Sequence, residues 1–361
     1  MKHLPALLLT LATASALQAQ ETLKFKDPSK NPDLEGEIVT LSFKTIEIVA
    51  GGVKQPIEAR RVVDIVPSAS RKTPDYLKGE EAMANGNFAA AAERFERVAT
   101  DSRAPESVRQ LASIQSVRCG AASGDNAAVV QAAQVLRARK PECFYTQESY
   151  VLEVKAHLAS GNNAGAAAAL QAFGALATAN GLAEWAKSVD LLQAHIAETQ
   201  TNWRGALLIY RKYVKDADIA DAAALGEMRS LTALADWPGL GTVADAHLKN
   251  AMGKRDFSPR ILTAANTAKG DIDLNAGKAK DALLNYLQGA LVLNKAEPNP
   301  EHETALARSA LCCAKLFAAE KDPAKKARYR TQAQELRGDL LRLYPKTRYK
   351  IDVDNAVQGL R

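Results

Sequence analysis

The sequence predicts a mainly α-helical protein, an α-solenoid of helical hairpins with a small β module at its N-terminal end. Three observations lead to this fold class. Helix-forming residues fill most of the chain after residue 75, and aromatic residues make up only 6% of the 361 residues. Similar turn sequences recur every 35 to 41 residues through that region. β-Branched residues gather instead between Ile38 and Val66, where they indicate strands.

The first 19 residues have the pattern of a secretory signal peptide. A weakly charged start precedes the apolar run Leu4 to Leu11, and small residues continue to Ala19. Cleavage after Ala16 or after Ala19 fits this pattern, and the polar sequence from Gln20 onward favours the second position. An uncleaved membrane anchor is the alternative, although the apolar run is shorter than the roughly 20 residues of a spanning helix. We expect an exported protein, periplasmic or otherwise extracytoplasmic.

Residues 20–66 are predicted to form the β module. Strand signals occupy residues 36–41, 43–49, 53–57 and 62–66, and Gly51-Gly52 predicts a hairpin turn. So short a sheet cannot bury a large core, so we expect a three- or four-stranded barrel or meander that leans on its neighbour. The spacing loosely resembles small Sm-like or SH3-like modules that precede helical repeats in some bacterial envelope proteins. Prolines and small polar residues in the range 67–74 predict a linker.

Residues 75–345 carry the recurring turns. Each turn separates two helical stretches, which predicts six or seven helical hairpins. The predicted turns are Gly86-Asn87, Gly124-Asp125, Gly161-Asn162, Thr201-Asn202, Asp236-Trp237 and Gly277-Lys278. The last two helices, about 301–320 and 323–343, are separated by a different sequence, residues 321–323. Residues 346–361 are predicted as a C-terminal tail.

Small and aromatic residues recur at matching places in three hairpins. They are Gly79, Ala91 and Phe95 in the first, Ala206 and Tyr210 in the fourth, and Gly270, Gly277, Ala282 and Tyr286 in the sixth. A small residue lets two helices approach, and the ring one turn later fills the space between them. In these residues the chain resembles the tetratricopeptide repeat (TPR) family, in the degenerate form of bacterial envelope members. The pattern is weak in the fifth hairpin, around residues 237–239.

The resemblance to the TPR family implies a function as well as a fold. A hairpin of this family cannot bury its apolar face alone, so neighbours stack into a superhelix with a concave surface. That surface is expected to bind a protein or an extended peptide. The expected function is therefore a non-enzymatic protein-interaction scaffold or assembly factor of the bacterial cell envelope.

The sequence offers no pattern that predicts catalysis, a metal site or a cofactor. No His-x-x-x-His or Cys-x-x-Cys spacing occurs, and no phosphate-binding or dinucleotide-binding glycine pattern is present. The four cysteines lack sequence neighbours that would activate a thiol, so we interpret them as small buried hydrophobic residues. We therefore expect a protein that is not an enzyme and holds no cofactor.

Positive charge is concentrated near the C-terminal end. The range Lys321–Lys350 contains ten Lys and Arg residues against three acidic residues, in a chain of formal net charge +6. Helical spacing predicts that Lys326, Arg330, Arg337 and Arg342 surround the wet side of the last long helix. One interpretation is a solvated capping helix. The alternative function is docking on an anionic surface, a membrane or the cell wall, through this helix. Nucleic acid is not an expected partner, because no aromatic residues alternate with these charges.

Overall fold

The computed structural model describes residues 20–251, 258–292 and 299–360. The predicted signal peptide, residues 1–19, lies outside these ranges. The chain divides into two compact units between Leu192 and Gln193. The linker at residues 67–74 stays a prediction. None of the helices in the described ranges is both long enough and apolar enough to cross a membrane.

The N-terminal module is a five-stranded antiparallel sheet in unit 1. Its strands are β1 Glu21–Phe25, β2 Leu34–Leu41, β3 Thr45–Ala50, β4 Val53–Glu58 and β5 Val62–Pro67, in the spatial order β4-β3-β2-β1-β5. The prediction of three or four strands is wrong. The sequence pattern did not reveal β1 because this strand contains polar residues. Leu23 and Phe25 face the core, as does Glu21, whose buried carboxylate accepts hydrogen bonds from Ser107 and from the backbone of β2.

The helices follow in pairs. In unit 1 they are α1 Pro74–Ala84, α2 Phe88–Thr100, α3 Glu106–Ser123, α4 Asn126–Arg139, α5 Thr146–Ala159 and α6 Asn163–Asn180, and α7 Ala183–Thr199 crosses the boundary between the units. In unit 2 they are α8 Trp203–Tyr213, α9 Ala220–Ala233, α10 Trp237–Ala251, α11 Pro259–Asn275, α12 Ala279–Val292, α13 Pro300–Ala319, α14 Pro323–Leu343 and α15 Lys350–Gln358. These form seven pairs plus α15 within the described ranges.

All six predicted turns lie between the two helices of a pair, and they share one geometry. A residue with positive φ follows the first helix, and the next backbone N–H donates to a carbonyl five residues earlier, as from Asn87 to Ala82 at 2.8 Å and from Lys278 to Asp273 at 2.8 Å. This is the Schellman arrangement that closes a helix. The positive-φ residues are Gly86, Gly124, Gly161, Thr201, Ala235 and Gly277. The fifth turn is thus centred on Ala235, one residue earlier than the predicted Asp236-Trp237.

A side chain then caps the second helix in five of these turns. The carboxylate or amide oxygen of the cap accepts the backbone N–H three residues on, which satisfies a donor that the helix itself cannot pair. The caps are Asn87, Asp125, Asn162, Asn202 and Asp236. The fifth hairpin, whose sequence pattern is weak, therefore keeps the full turn.

Three of the first helices in the pairs, α3, α9 and α13, bury more than half of their residues. In unit 1, α3 contacts α5, and in unit 2 α9 and α13 both contact α11. Two hydrogen bonds join the sheet to the helices of unit 1. The Gln110 side chain of α3 donates to the Leu41 carbonyl at 3.1 Å, and the backbone N–H of Phe43 donates to the Glu142 carbonyl at 3.1 Å. The β module is thereby fixed to the start of α3.

The predicted C-terminal tail, residues 346–361, contains α15. The sequence pattern did not reveal this helix because only Val353 and Val357 of it are buried. Both side chains join the apolar cluster that α13 and α14 form.

We expect Ala235→Gly to stabilise the protein by about 1 kcal/mol, because Ala235 has φ +53° and glycine carries no steric penalty there. The matched control is Ala233→Gly, an exposed position in the last turn of α9, which should lower stability by about 0.5–1 kcal/mol. Urea unfolding followed by circular dichroism measures both changes. Equal signs for the two variants would contradict the assigned turn.

Phe95→Ala should lower the free energy of unfolding by about 3–5 kcal/mol, because the ring is fully buried between helices. The exposed Leu208→Ala is the control, for which a change within about 0.5 kcal/mol is expected. The same urea titration reports both. A Phe95→Ala protein of unchanged stability that had lost only partner binding would show that Phe95 is a ligand contact.

Candidate functional site

The small and aromatic repeat residues lie in packing contacts between helices. Ala91, Phe95, Ala206, Tyr210, Ala282 and Tyr286 are all at most 1% exposed. A Cβ added to Gly79 would lie 2.8 Å from the Phe95 ring, and one added to Gly270 would lie 2.5 Å from the Tyr286 ring. Gly277, unlike these two glycines, does not lie against a ring; it is the positive-φ residue of its turn. These side chains determine how closely the helices approach.

The fourth hairpin uses a glycine that sequence reasoning missed. The Tyr210 ring rests on Gly226 of α9, where an added Cβ would lie 2.3 Å from the ring. No repeat position pointed to it, because this glycine belongs to the next pair rather than to the hairpin of Tyr210.

Both repeat tyrosines have their hydroxyl groups satisfied by acidic side chains that are largely or fully removed from solvent. The Tyr210 hydroxyl donates to Glu198 at 3.1 Å, and the Tyr286 hydroxyl donates to Asp271 at 2.7 Å. Burial opposes ionisation of Glu198, but hydrogen bonding to His195 and the charge of Arg229 outweigh it, so the pKa of Glu198 lies below its usual value. The hydrogen bonds of the two hydroxyl groups therefore help to hold successive helices together.

The predicted basic surface is less uniform than its sequence suggests. Arg337 pairs with Asp354 of α15 at 2.5 Å, and Arg342 pairs with Asp339 at 2.7 Å. The Lys326 ammonium lies 4.6 Å from the centre of the Phe317 ring. Arg330 is half-buried. The acids of α14 and α15 thus offset two of the four candidate charges.

The four cysteines are buried and free of disulfide bonds, as predicted. Burial raises the pKa of Cys119 to about 11 and that of Cys143 to about 12, so both thiols stay protonated at neutral pH. Within the described ranges, no group of three or more His, Cys, Asp or Glu residues is arranged to hold a metal ion.

Unit 1 contains two recesses that lie along α3. One has a volume of about 390 Å³ and is lined by the C-terminal half of α3; the other, of about 450 Å³, is lined by its N-terminal half. The lining residues of α3 are spaced one or three positions apart, so each recess meets one side of the helix. They are Glu106, Arg109, Gln110, Ser113, Ser116, Cys119, Gly120 and Ser123.

The two recesses lie one after the other along α3, and we call them together the α3 trough. Residues of α3 form the floor of each recess, and residues of α2 and α4 form its walls. Because the connection at residues 101–105 and the turn at Gly124 each reverse the chain, α2 and α4 run in the same direction on either side of α3. Small side chains on the floor, such as Ser116 and Gly120, leave the space open.

The trough has an apolar and acidic half at the start of α2 and α4. Phe88, Ala92 and Val135 supply apolar surface, and Glu93 and Asp125 supply negative charge. Glu93 is exposed. Asp125 uses one carboxylate oxygen to cap α4.

The other half of the trough is polar and basic. Arg109 and Lys140 both face Glu106, with the Lys140 ammonium 3.6 Å and the Arg109 guanidinium 2.5 Å from its carboxylate. Burial opposes ionisation of Glu106, yet a hydrogen bond from Gln110 and the charges of Lys140 and Arg109 outweigh it, so its pKa lies below the usual range. Two cations thus share one carboxylate.

An ion pair between Glu96 and Arg139 crosses the trough where the two halves meet. Glu96 belongs to α2 and lines the acidic half, whereas Arg139 belongs to α4 and lines the basic half. Both side chains are more than one third exposed. Sequence reasoning missed the whole trough, since its residues come from three helices and none of them forms a motif.

No protein-family model matches the chain, and no curated protein matches it. Solved structures do. A tetratricopeptide repeat protein from Parabacteroides merdae superposes with a TM-score of 0.52 at 11% identity, over 79% of this chain and 98% of that chain. The chain has a TPR-like fold. The predicted α-solenoid of hairpins with an N-terminal β module is thereby confirmed.

Two further structures share lower similarity. NprR in complex with its cognate peptide NprX has a TM-score of 0.43 at 12% identity, over 78% of this chain and 87% of that chain. The C-terminal part of a TPR repeat-containing protein from Cytophaga hutchinsonii has a TM-score of 0.38 at 12% identity, over 77% and 98%.

Proposed function

We propose that this TPR-like protein is a non-enzymatic interaction scaffold or assembly factor of the bacterial cell envelope. The observation that carries the proposal is the α3 trough, two successive recesses lined by apolar and charged side chains along one helix of a TPR-like array. Such recesses offer apolar surface for affinity and charges for orientation, as peptide-binding grooves do. The signal-like residues 1–19 support export to the periplasm.

The partner is a protein or peptide that lies in the trough. Ala132 lines the acidic half and is half-buried, so Ala132→Arg would fill the channel with a long charged side chain. Ala172→Arg, at an exposed position of α6, makes the same change outside the trough.

We expect the tagged mature protein to retain a stoichiometric partner from envelope extract, and the Ala132→Arg variant to lose at least nine tenths of it. The Ala172→Arg control should retain the partner. Thermal unfolding of both variants checks that the fold is intact. Equal recovery with the two variants, or no partner with the intact protein, would count against the proposal.

Docking on an anionic membrane or on the cell wall through α14 is a second candidate function. The favouring observation is that Lys325 and Arg328 are exposed on α14 beside Lys326 and Arg330, with no acid between them. Cations grouped in this way attract anionic lipid head groups.

Co-sedimentation with phosphatidylglycerol vesicles tests the docking function. We expect the combined Lys326→Glu and Arg330→Glu protein to lose binding, while Lys249→Glu, an exposed position of α10, retains it. Arg337 is left unchanged, because its replacement would leave Asp354 unpaired. Wild-type protein that stays in the supernatant, or a double variant that still sediments, rules docking out.

A further inference from the structure

The two halves of the α3 trough carry opposite charge. In the acidic half the rim carboxylates are Glu93 and Asp125, and both residues are exposed. In the basic half, Arg109 and Lys140 outnumber the single carboxylate of Glu106. A ligand that lies along the trough therefore meets negative potential at one end and positive potential at the other.

Apolar surface is more extensive in the acidic half. Phe88, Ala92 and Val135 line it, together with Ala128 and Ala132. The basic half has fewer apolar side chains, those of Ala99, Leu136 and Cys143, beside Thr100, Gln110, Ser113 and its charges. An apolar ligand side chain therefore finds more apolar surface beside the acidic rim than beside the basic one.

The Glu96 to Arg139 pair is positioned to exchange partners. Its two side chains lie in the acidic and the basic half respectively, and both reach solvent. Exposed ion pairs of this kind contribute little stability in water. A ligand cation can replace Arg139 as the partner of Glu96, and a ligand carboxylate can replace Glu96 as the partner of Arg139. Both side chains therefore remain paired after binding.

The length of the trough limits the size of its ligand. α2 has 13 residues and forms one wall over its whole length, which corresponds to about 20 Å. An extended peptide of about six residues spans that distance.

We infer that the α3 trough binds an extended peptide segment of opposite end charges: Lys or Arg next to an apolar residue at one end, and a carboxylate at the other. The basic and apolar end occupies the half with Glu93 and Phe88. The carboxylate occupies the half with Arg109 and Lys140. This inference rests on the proposed scaffold function and names the chemistry of its partner.

Synthetic peptides test this inference against the full mature protein. The probes are fluorescein-labelled hexapeptides with a central serine-glycine-serine spacer. The dipolar probes have lysine-leucine at one end and glutamate at the other, in both chain directions. A doubly basic probe replaces the glutamate by lysine, and a doubly acidic probe replaces the lysine by glutamate. Fluorescence anisotropy measures each dissociation constant.

The wild-type protein should bind the better of the two dipolar probes at least about tenfold more tightly than it binds the doubly basic or the doubly acidic probe. In Glu93→Lys the preference should shift toward the doubly acidic probe, since both halves then attract anions. In Lys140→Glu it should shift toward the doubly basic probe. Both substituted side chains are exposed, so the fold is expected to persist. Glu81→Lys, an exposed change outside the trough, should leave the preference unaltered.

The outcomes separate this inference from the scaffold function. If the wild type shows no preference for the dipolar probes, or if the two charge variants leave the preference where it was, the inference is wrong. A partner that is still lost from the Ala132→Arg protein would then leave the scaffold function standing. Failure of both experiments would contradict both proposals.

Discussion

The structure depends on one local constraint, the turn that reverses the chain inside each helical pair. A residue with positive φ ends the first helix, its successor donates to a carbonyl five residues earlier, and an Asn or Asp side chain usually caps the second helix. Thr201 and Ala235 adopt the same conformation without the freedom of glycine, which shows that the surrounding packing imposes it. One such turn, together with the reversal between two successive pairs, places parallel helices on either side of a third, as α2 and α4 lie beside α3.

The α3 trough is a direct consequence of that arrangement. With α2 and α4 parallel, their corresponding ends meet at the same end of α3, so charges near their starts collect in one half and charges near their ends in the other. Glu93 and Asp125 thereby come together, as do Arg139 and Lys140 with Arg109. The Gln110 hydrogen bonds to Leu41 and Glu106 tie the basic half to the β module. The sheet therefore contributes to the position of the charged groups without lining the trough itself.

Local signals made much of the fold predictable and left the candidate site hidden. Glycine followed by Asn or Asp marked three turns, and an aromatic residue nine positions after the first residue of a turn marked the packing of three hairpins, because both features depend on neighbours along the chain. The buried strand β1 was missed, since Glu21 is satisfied by Ser107, a partner far away in sequence. The ion pair of Arg337 with Asp354 was missed for the same reason. The trough combines side chains from three helices, so its charge separation is a property of the assembled unit.

Site-specific photocrosslinking in cells tests the central claim, that the α3 trough is the face a partner occupies, most directly. Benzoylphenylalanine would replace Gln131, an exposed residue of α4 that lines the trough, and in a separate protein Gln171, an exposed residue of α6 outside it. If a partner occupies the α3 trough, we expect a discrete crosslinked adduct at residue 131 and none at residue 171. Adducts of equal yield at both positions, or an adduct at residue 171 alone, would contradict it.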